Sequence, residues 1–120
     1  MEPLADSIPE KATAAGTSNL TKAFMRDILL NQNPEGYYTM CMAIANAPDI
    51  DYAAIKAPFL LIAGDEDKSS SMEGCEKMYN LILTSNKRME VMKHVGHWHC
   101  LEAPDEVGRI LADFVGKVRL

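Results

Sequence analysis

Basic charge is scarce in this chain: 12 Lys and Arg stand against 17 Asp and Glu in 120 residues, for a net charge of -5. A surface of that sign offers no field for a phosphate backbone or an anionic lipid headgroup, so nucleic acid and membrane are excluded as expected partners. Long apolar runs are missing as well. The longest, from Ala57 to Ala63, falls far short of the ~18 residues that a membrane span requires. The opening MEPLADSIPEK has neither the basic region nor the apolar region of a secretory signal. There are only three cysteines, Cys41, Cys75 and Cys100, too widely spaced for a disulfide framework or for CxxC metal chemistry. The expectation is a soluble protein of a reducing compartment, the cytoplasm. Internal repeats, low-complexity tracts and heptads are also absent.

What is present is a globular composition. Hydrophobic residues make up 48% of the chain and charged residues 24%, which rules out disorder along the whole length. A chain of this size can bury about two thirds of its unfolded surface. The eight methionines are read as gap-fillers in a core or at helix packing surfaces.

Texture changes near residue 57 and divides the chain into 1–56, a helical segment with its linker, and 57–120, an α/β unit. After a loose opening rich in Ala, Pro and Thr, Thr17 or Ser18 offers an N-cap for a helix over 19–31, with Leu20, Phe24 and Ile28 on one face and Met25 and Leu29 beside it. Asn33 followed by Pro34 and Glu35 starts a second helix, over 34–46. Its apolar set of Tyr37, Tyr38, Cys41, Met42, Ile44 and Ala45 predicts packing on more than one side. Beyond Pro58 the run Phe59 to Ala63 lacks alternation, as a strand covered on both faces does. Ser71 caps a helix to about 83, a second strand covers 88–93, and Val107, Ile110, Leu111, Phe114, Val115 and Val118 mark one buried stripe of a helix over 104–118. The order strand, helix, strand, helix implies parallel strands.

Parallel sheets place their sites beyond the carboxyl ends of the strands. The two loops there read GDEDKSSS and GHWHCLEAPDEV, with Asp67 and His97 thirty residues apart. One strand-helix-strand unit spans that distance and sets the two side by side at the sheet end. A carboxylate in that place fixes the tautomer of the imidazole and stabilises its protonated form, so the ring can act as general base and acid. Asp65 is the fallback acid. Asp65 and Glu66 are otherwise read as solvated charge near the next helix. The cluster His94, His97, His99 and Cys100 has zinc-ligand chemistry, but His94 falls within the β-compatible run RMEVMKHV that carries the predicted strand and no second ligand group is at hand, so no metal is expected.

The patterns APFLLIAGDEDK and VGHWHCLEAPDEVGRILADFV resemble the acid strand and the histidine loop with terminal helix of the α/β-hydrolase superfamily, over residues 57 to 120. Matched position by position, the resemblance implies Asp67 as triad acid and His97 as triad base, with Glu102 and Pro104 as structural residues of the loop. PEGYYTMCMAIAN resembles the helical cap of the lactonase and esterase branch, in particular 3-oxoadipate enol-lactonases. That likeness implies substrate contact for Tyr38, Cys41 and Met42, with Tyr37 beside them, or else simple packing of the cap on the core. Trp98, next to the base, is read as pocket wall or core.

The superfamily's nucleophile sits in a Gly-x-Ser-x-Gly elbow ahead of both acid and base, and no such motif occurs in these residues. Ser18 is read as an N-cap, and Ser69, Ser70 and Ser71 as capping the next helix. The expected architecture is therefore a partial α/β-hydrolase fold, two parallel strands with flanking helices preceded by a cap. It would be the C-terminal portion of an ester or lactone hydrolase that holds acid and base without a nucleophile and needs no cofactor. The expected partner of the complete enzyme is a small-molecule ester or lactone. The alternative expectation is a non-catalytic module that pairs with another chain, or with itself, through an exposed sheet edge.

Overall fold

A computed structural model of the chain describes residues 1–118; Arg119 and Leu120, at the end of the expected unit 57–120, lie outside the described residues. Three helices come first: α1 (Glu2–Ala12), α2 (Asn19–Leu30) and α3 (Pro34–Ala45). A 3-10 turn (Tyr52–Ala54) leads to β1 (Phe59–Gly64), α4 (Met72–Leu81), β2 (Lys87–Met92), the single turn α5 (His99–Glu102) and α6 (Pro104–Lys117). The strands pair in parallel, in a register running from Phe59 opposite Lys87 to Gly64 opposite Met92. Both strands thus end at the same level, and the two polar loops leave the sheet together.

The sheet is covered on both faces, as the unbroken apolar run of β1 requires. Leu61 and Ala63 pack on Cys75 of α4 with Phe59, Met72 and Met78 around them. Leu60 and Ile62 point the other way, to Met92, Val95, Val107 and Ile110. Lys87 ties α4 to the sheet: its Nζ donates to the carbonyls of Tyr79 and Ile82, each at 2.7 Å, and satisfies otherwise orphaned groups at the helix end.

Helix α1 replaces the expected loose opening. Pro3 occupies the first turn, where its missing N–H costs nothing. Pro9 sits within the helix, and the Thr13 hydroxyl donates to its carbonyl at 2.6 Å. Ala5, Pro9 and Ala12 form a buried face, small enough to let α2 approach closely with Met25 and Leu29 buried. Two ion pairs flank that seam, Lys22 with Glu10 at 2.7 Å and Arg26 with Asp6 at 2.8 Å. The buried face of α2 is accordingly the one carrying Met25 and Leu29, while Leu20 and Phe24 are 81% and 53% exposed. The N-caps stand as expected: Ser18 Oγ accepts from Thr21 N, Asn33 Oδ1 from Gly36 N and Ser71 Oγ from Gly74 N.

Two packing expectations are corrected. No residue of α3 is buried, because among the described residues no element lies across its apolar sides. In α6 only Val107 and Ile110 are buried; Leu111 and Val115 are exposed, the sheet being two strands wide among the described residues. No helix among the described residues is long and apolar enough to cross a membrane.

Candidate active site

The register of the strands sets the acid loop beside the histidine loop, and backbone hydrogen bonds lace them together. Asp65 N donates to Met92 O at 3.0 Å and Glu66 N to Val95 O at 3.0 Å. Gly64 makes the approach possible, since a Cβ there would stand 2.2 Å from Val95 O. The side chains of Asp65 and Glu66 join this lacing instead of being merely solvated. Asp65 Oδ1 accepts from His94 N at 2.7 Å, and Glu66 Oε2 from Ala15 N at 2.9 Å. His94 is not in the strand: it lies in the turn after β2 with φ of 59°, a left-handed conformation that costs a non-glycine residue about 1 kcal/mol, and Asp65 holds it there. Among the described residues no three His, Cys, Asp or Glu side chains converge as a metal would need.

Asp67 is the carboxylate that meets His97. Its Oδ2 lies 2.9 Å from His97 Nδ1, while Oδ1 accepts from the amides of Ser69 at 2.7 Å and Ser70 at 2.9 Å. The Asp67 side chain is 6% exposed and that of His97 44%, so the carboxylate is sequestered and the imidazole is reachable. Burial opposes ionisation of Asp67, but the Ser70 amide, the His97 ring and the Ser69 amide outweigh it and hold the carboxyl below its ordinary value. A carboxylate anchored in this way fixes the proton of the ring on Nδ1 and leaves Nε2 as the basic nitrogen. Ser69 and Ser70 therefore serve this carboxylate with their amides, and of the three serines only Ser71 caps α4.

The histidine loop is held from behind by Glu102. Its Oε2 accepts from Gly96 N at 3.0 Å, Ala14 N at 2.8 Å and Thr17 Oγ1 at 2.8 Å, and its Oε1 from Trp98 N at 3.0 Å. The amides on either side of His97 are thereby fixed. The amide of His97 itself donates to Ala12 O at 2.8 Å, so the end of α1 is bound to the histidine loop at His97. Gly96 lets the chains meet: a Cβ there would stand 2.6 Å from Ala14 N and 2.7 Å from Ala12 O.

A cavity of about 530 Å³ opens at His97, walled by Trp98 and Ser69 on the loop side and by Ile8, Lys11, Ile28, Leu29, Gln32 and Tyr37 on the helical side. Of the residues expected to contact a ligand, Trp98 lines it. Tyr38, Cys41 and Met42 stand exposed on α3 outside its wall, and Tyr37 is the α3 residue that reaches it. Lys11 and Ile8 escaped the sequence reading because α1 did; the spacing of Ala5, Pro9 and Ala12 was the signal available for that helix.

Solved structures share this fold. The chain superposes on the enol-lactonase from Burkholderia xenovorans LB400 with a TM-score of 0.85 at 24% identity, over 98% of this chain and 45% of that one. For the thermophilic esterase from Thermogutta terrifontis the TM-score is 0.88 at 22% identity, over 98% of this chain and 44% of that one. A serine hydrolase involved in carbazole degradation gives 0.78 at 18%, over 97% and 47%. No family model matches the sequence, and no curated protein does. The fold is a partial α/β-hydrolase fold, and the chain spans less than half the length of these three structures.

Proposed function

We propose that this chain carries the acid and base of a serine-type ester or lactone hydrolase, the C-terminal part of such an enzyme, and that its nucleophile comes from outside these 120 residues. The observation that carries the reading is the 2.9 Å contact between Asp67 Oδ2 and His97 Nδ1, with the other carboxylate oxygen held by two amides. In the complete site His97 Nε2 takes the proton of an attacking hydroxyl, Asp67 steadies the imidazolium that results, and the ring returns the proton to the leaving oxygen. No bound cofactor enters this scheme. The Thermogutta esterase and the Burkholderia enol-lactonase support an ester or lactone as substrate. The three free thiols of Cys41, Cys75 and Cys100 support the cytoplasm as its compartment.

Without a nucleophile no acyl-enzyme forms, and loss of that group alone costs triad enzymes on the order of a million-fold in turnover. The purified chain is therefore expected to give no hydrolysis of simple esters or enol-lactones above background and no labelling by a serine-directed phosphonate. Saturable hydrolysis abolished by His97→Ala would show that a residue of this chain, such as Ser69 or Cys100, is the nucleophile. The pairing itself is read by NMR: a protected Nδ1 proton is expected for His97 and is lost in Asp67→Asn. Identical ring signals in the two proteins overturn the acid–base assignment.

A second reading rests on the sheet edge. Strand β1 has β2 on one side and, among the described residues, no strand on the other. A groove of about 360 Å³ is lined by three consecutive β1 residues, Leu61, Ile62 and Ala63, with Cys75 and Met78 of α4, and by Asp67 and His97. In this reading a strand of another chain, or of a second copy, pairs there. A monomer that persists on concentration and dilution in sedimentation experiments removes self-association.

A further inference from the structure

The helical hairpin α1–α2 is tied to the α/β unit through the short segment 12–17 at the junction of its two helices. Every hydrogen bond between the two parts, among the described residues, involves that segment. Three of these bonds end on the histidine loop: His97 N donates to Ala12 O, and Glu102 Oε2 accepts from Ala14 N and Thr17 Oγ1. The fourth goes elsewhere. Ala15 N donates to Glu66 Oε2 at 2.9 Å, and Glu66 belongs to the acid loop, immediately before Asp67. Consecutive amides of the segment are thus taken by carboxylates from the two different loops. Thr17 N also donates to Ala14 O at 3.1 Å, which closes residues 14–17 into a turn whose second residue, Ala15, has no acceptor for its amide within the turn. Glu66 supplies that acceptor, and the Ala15 amide, ahead of the His94 ring, holds the Glu66 carboxyl below its ordinary value.

We infer that Glu66 is a positioning residue for the Asp67–His97 pair, acting by strapping the acid loop to the hairpin segment that grips the histidine loop. The lacing of Asp65 N to Met92 O, Glu66 N to Val95 O and Asp65 Oδ1 to His94 N joins the acid loop only to residues 92–95. The imidazole is carried by the next stretch, 96–102, which is held by Glu102 and the hairpin segment. Among the described residues, the hydrogen bonds that cross from the acid loop to this second frame are Ala15 N to Glu66 Oε2 and the Asp67–His97 contact itself, each at 2.9 Å. With its amide on Val95 O and its carboxylate on Ala15 N, Glu66 is fixed at both ends, and the chain enters Asp67 in one direction. Glu66 lines none of the cavities that His97 lines, so its part is placement. The role presupposes that Asp67 and His97 are the acid and base of the site.

The strap can be cut from either end. Glu66→Ala removes the acceptor, and Ala15→Pro removes the donor at the second position of a turn, where the fixed φ of proline is favoured. The readout is exchange of the His97 Nδ1 proton with water, followed by NMR in the full chain, with the amides of Leu61 and Ala63 in β1 as internal controls. Each variant is expected to speed Nδ1 exchange about tenfold while the β1 amides keep their rates. The double variant should equal either single one, because both remove the same interaction. Glu66→Gln keeps an oxygen for the Ala15 amide and should return exchange to within about twofold of the wild type. Unchanged Nδ1 exchange, β1 amides that speed up by the same factor, effects that multiply in the double variant, or no rescue by glutamine each overturns the proposal. The two single variants are independent, so failure of one to fold leaves the other to decide. A wild type without a protected Nδ1 proton removes the acid–base reading and this role with it, whereas protection lost in Asp67→Asn but indifferent to Glu66 removes this role alone.

Discussion

Removing the carboxylate of Glu102 is the most direct test of how the histidine loop is held. Four donors converge on it, the amides of Ala14, Gly96 and Trp98 and the hydroxyl of Thr17, all between 2.8 and 3.0 Å. A hydrogen bond to a fully buried charged acceptor contributes roughly 1.5–3 kcal/mol. Glu102 is only half-buried, and water will reclaim some of the donors, so about 1 kcal/mol for each is the better figure. Glu102→Ala should then lose about 4 kcal/mol, which at an m-value of roughly 1.5 kcal/mol/M is a fall of about 2.5 M in the urea midpoint. Glu102→Gln keeps an acceptor where Oε2 lies and turns its amide nitrogen toward the Trp98 N–H. It should lose about 1–2 kcal/mol. Amide hydrogen exchange supplies a second reading, with the Gly96 and Trp98 amides losing protection ahead of those in β1. A loss below about 1 kcal/mol in the alanine variant, or unaltered protection at those two amides, would refute the role given to this side chain.

Other expectations follow from the same geometry. The carboxyl of Asp67 is held below its ordinary value, so its contribution to stability is complete above the ordinary aspartate range and is lost as pH falls through the lowered value. Acid titration of unfolding free energy should therefore be shallower for Asp67→Asn than for the wild type below about pH 4, and parallel curves would contradict this. Gly64→Ala places a Cβ 2.2 Å from Val95 O, and because the obstacle is backbone it should cost about 3 kcal/mol or more; an unchanged melting temperature speaks against the close approach of the loops. Gly108 lies inside α6 with open space where its Cβ would be. Gly108→Ala should stabilise by about 0.5–1 kcal/mol, and a destabilised variant would mean that this face of α6 is covered.

The C-terminal half was legible because its signals are local and redundant. Pro58 and Gly64 bound an apolar run too short for a helix, and Ser71, Pro104 and the spacing of Val107 and Ile110 each mark one end or one face of an element. Strand order then brought Asp67 and His97 to one sheet end without any knowledge of packing. Helix α1 was hidden because two prolines in its sequence speak against a helix; Pro3 falls in the first turn and Pro9 is buried against α2, and only that tertiary contact outweighs the lost hydrogen bond. For α2 the sequence left the buried side open, since Leu20, Phe24 and Ile28 keep helical spacing as well as Met25 and Leu29 do, and only the partner chooses between them. The lacing by Asp65 and Glu66 had no sequence signal, because a carboxylate that accepts from a distant amide looks the same in a sequence as one that faces water.

The bond from His97 N to Ala12 O, together with the Glu102 grip on Ala14 and Thr17, makes the helical hairpin α1–α2 and the imidazole thermodynamically linked sites. Displacing residues 12–17 withdraws the acceptor of the His97 amide and two of the four ligands of Glu102, so hairpin docking and imidazole placement have a coupling free energy between them. By reciprocity, whatever steadies the ring must also tighten the hairpin to the same extent. Docking of the hairpin and placement of the imidazole become one equilibrium, with the end of α1 serving as the lever that joins them.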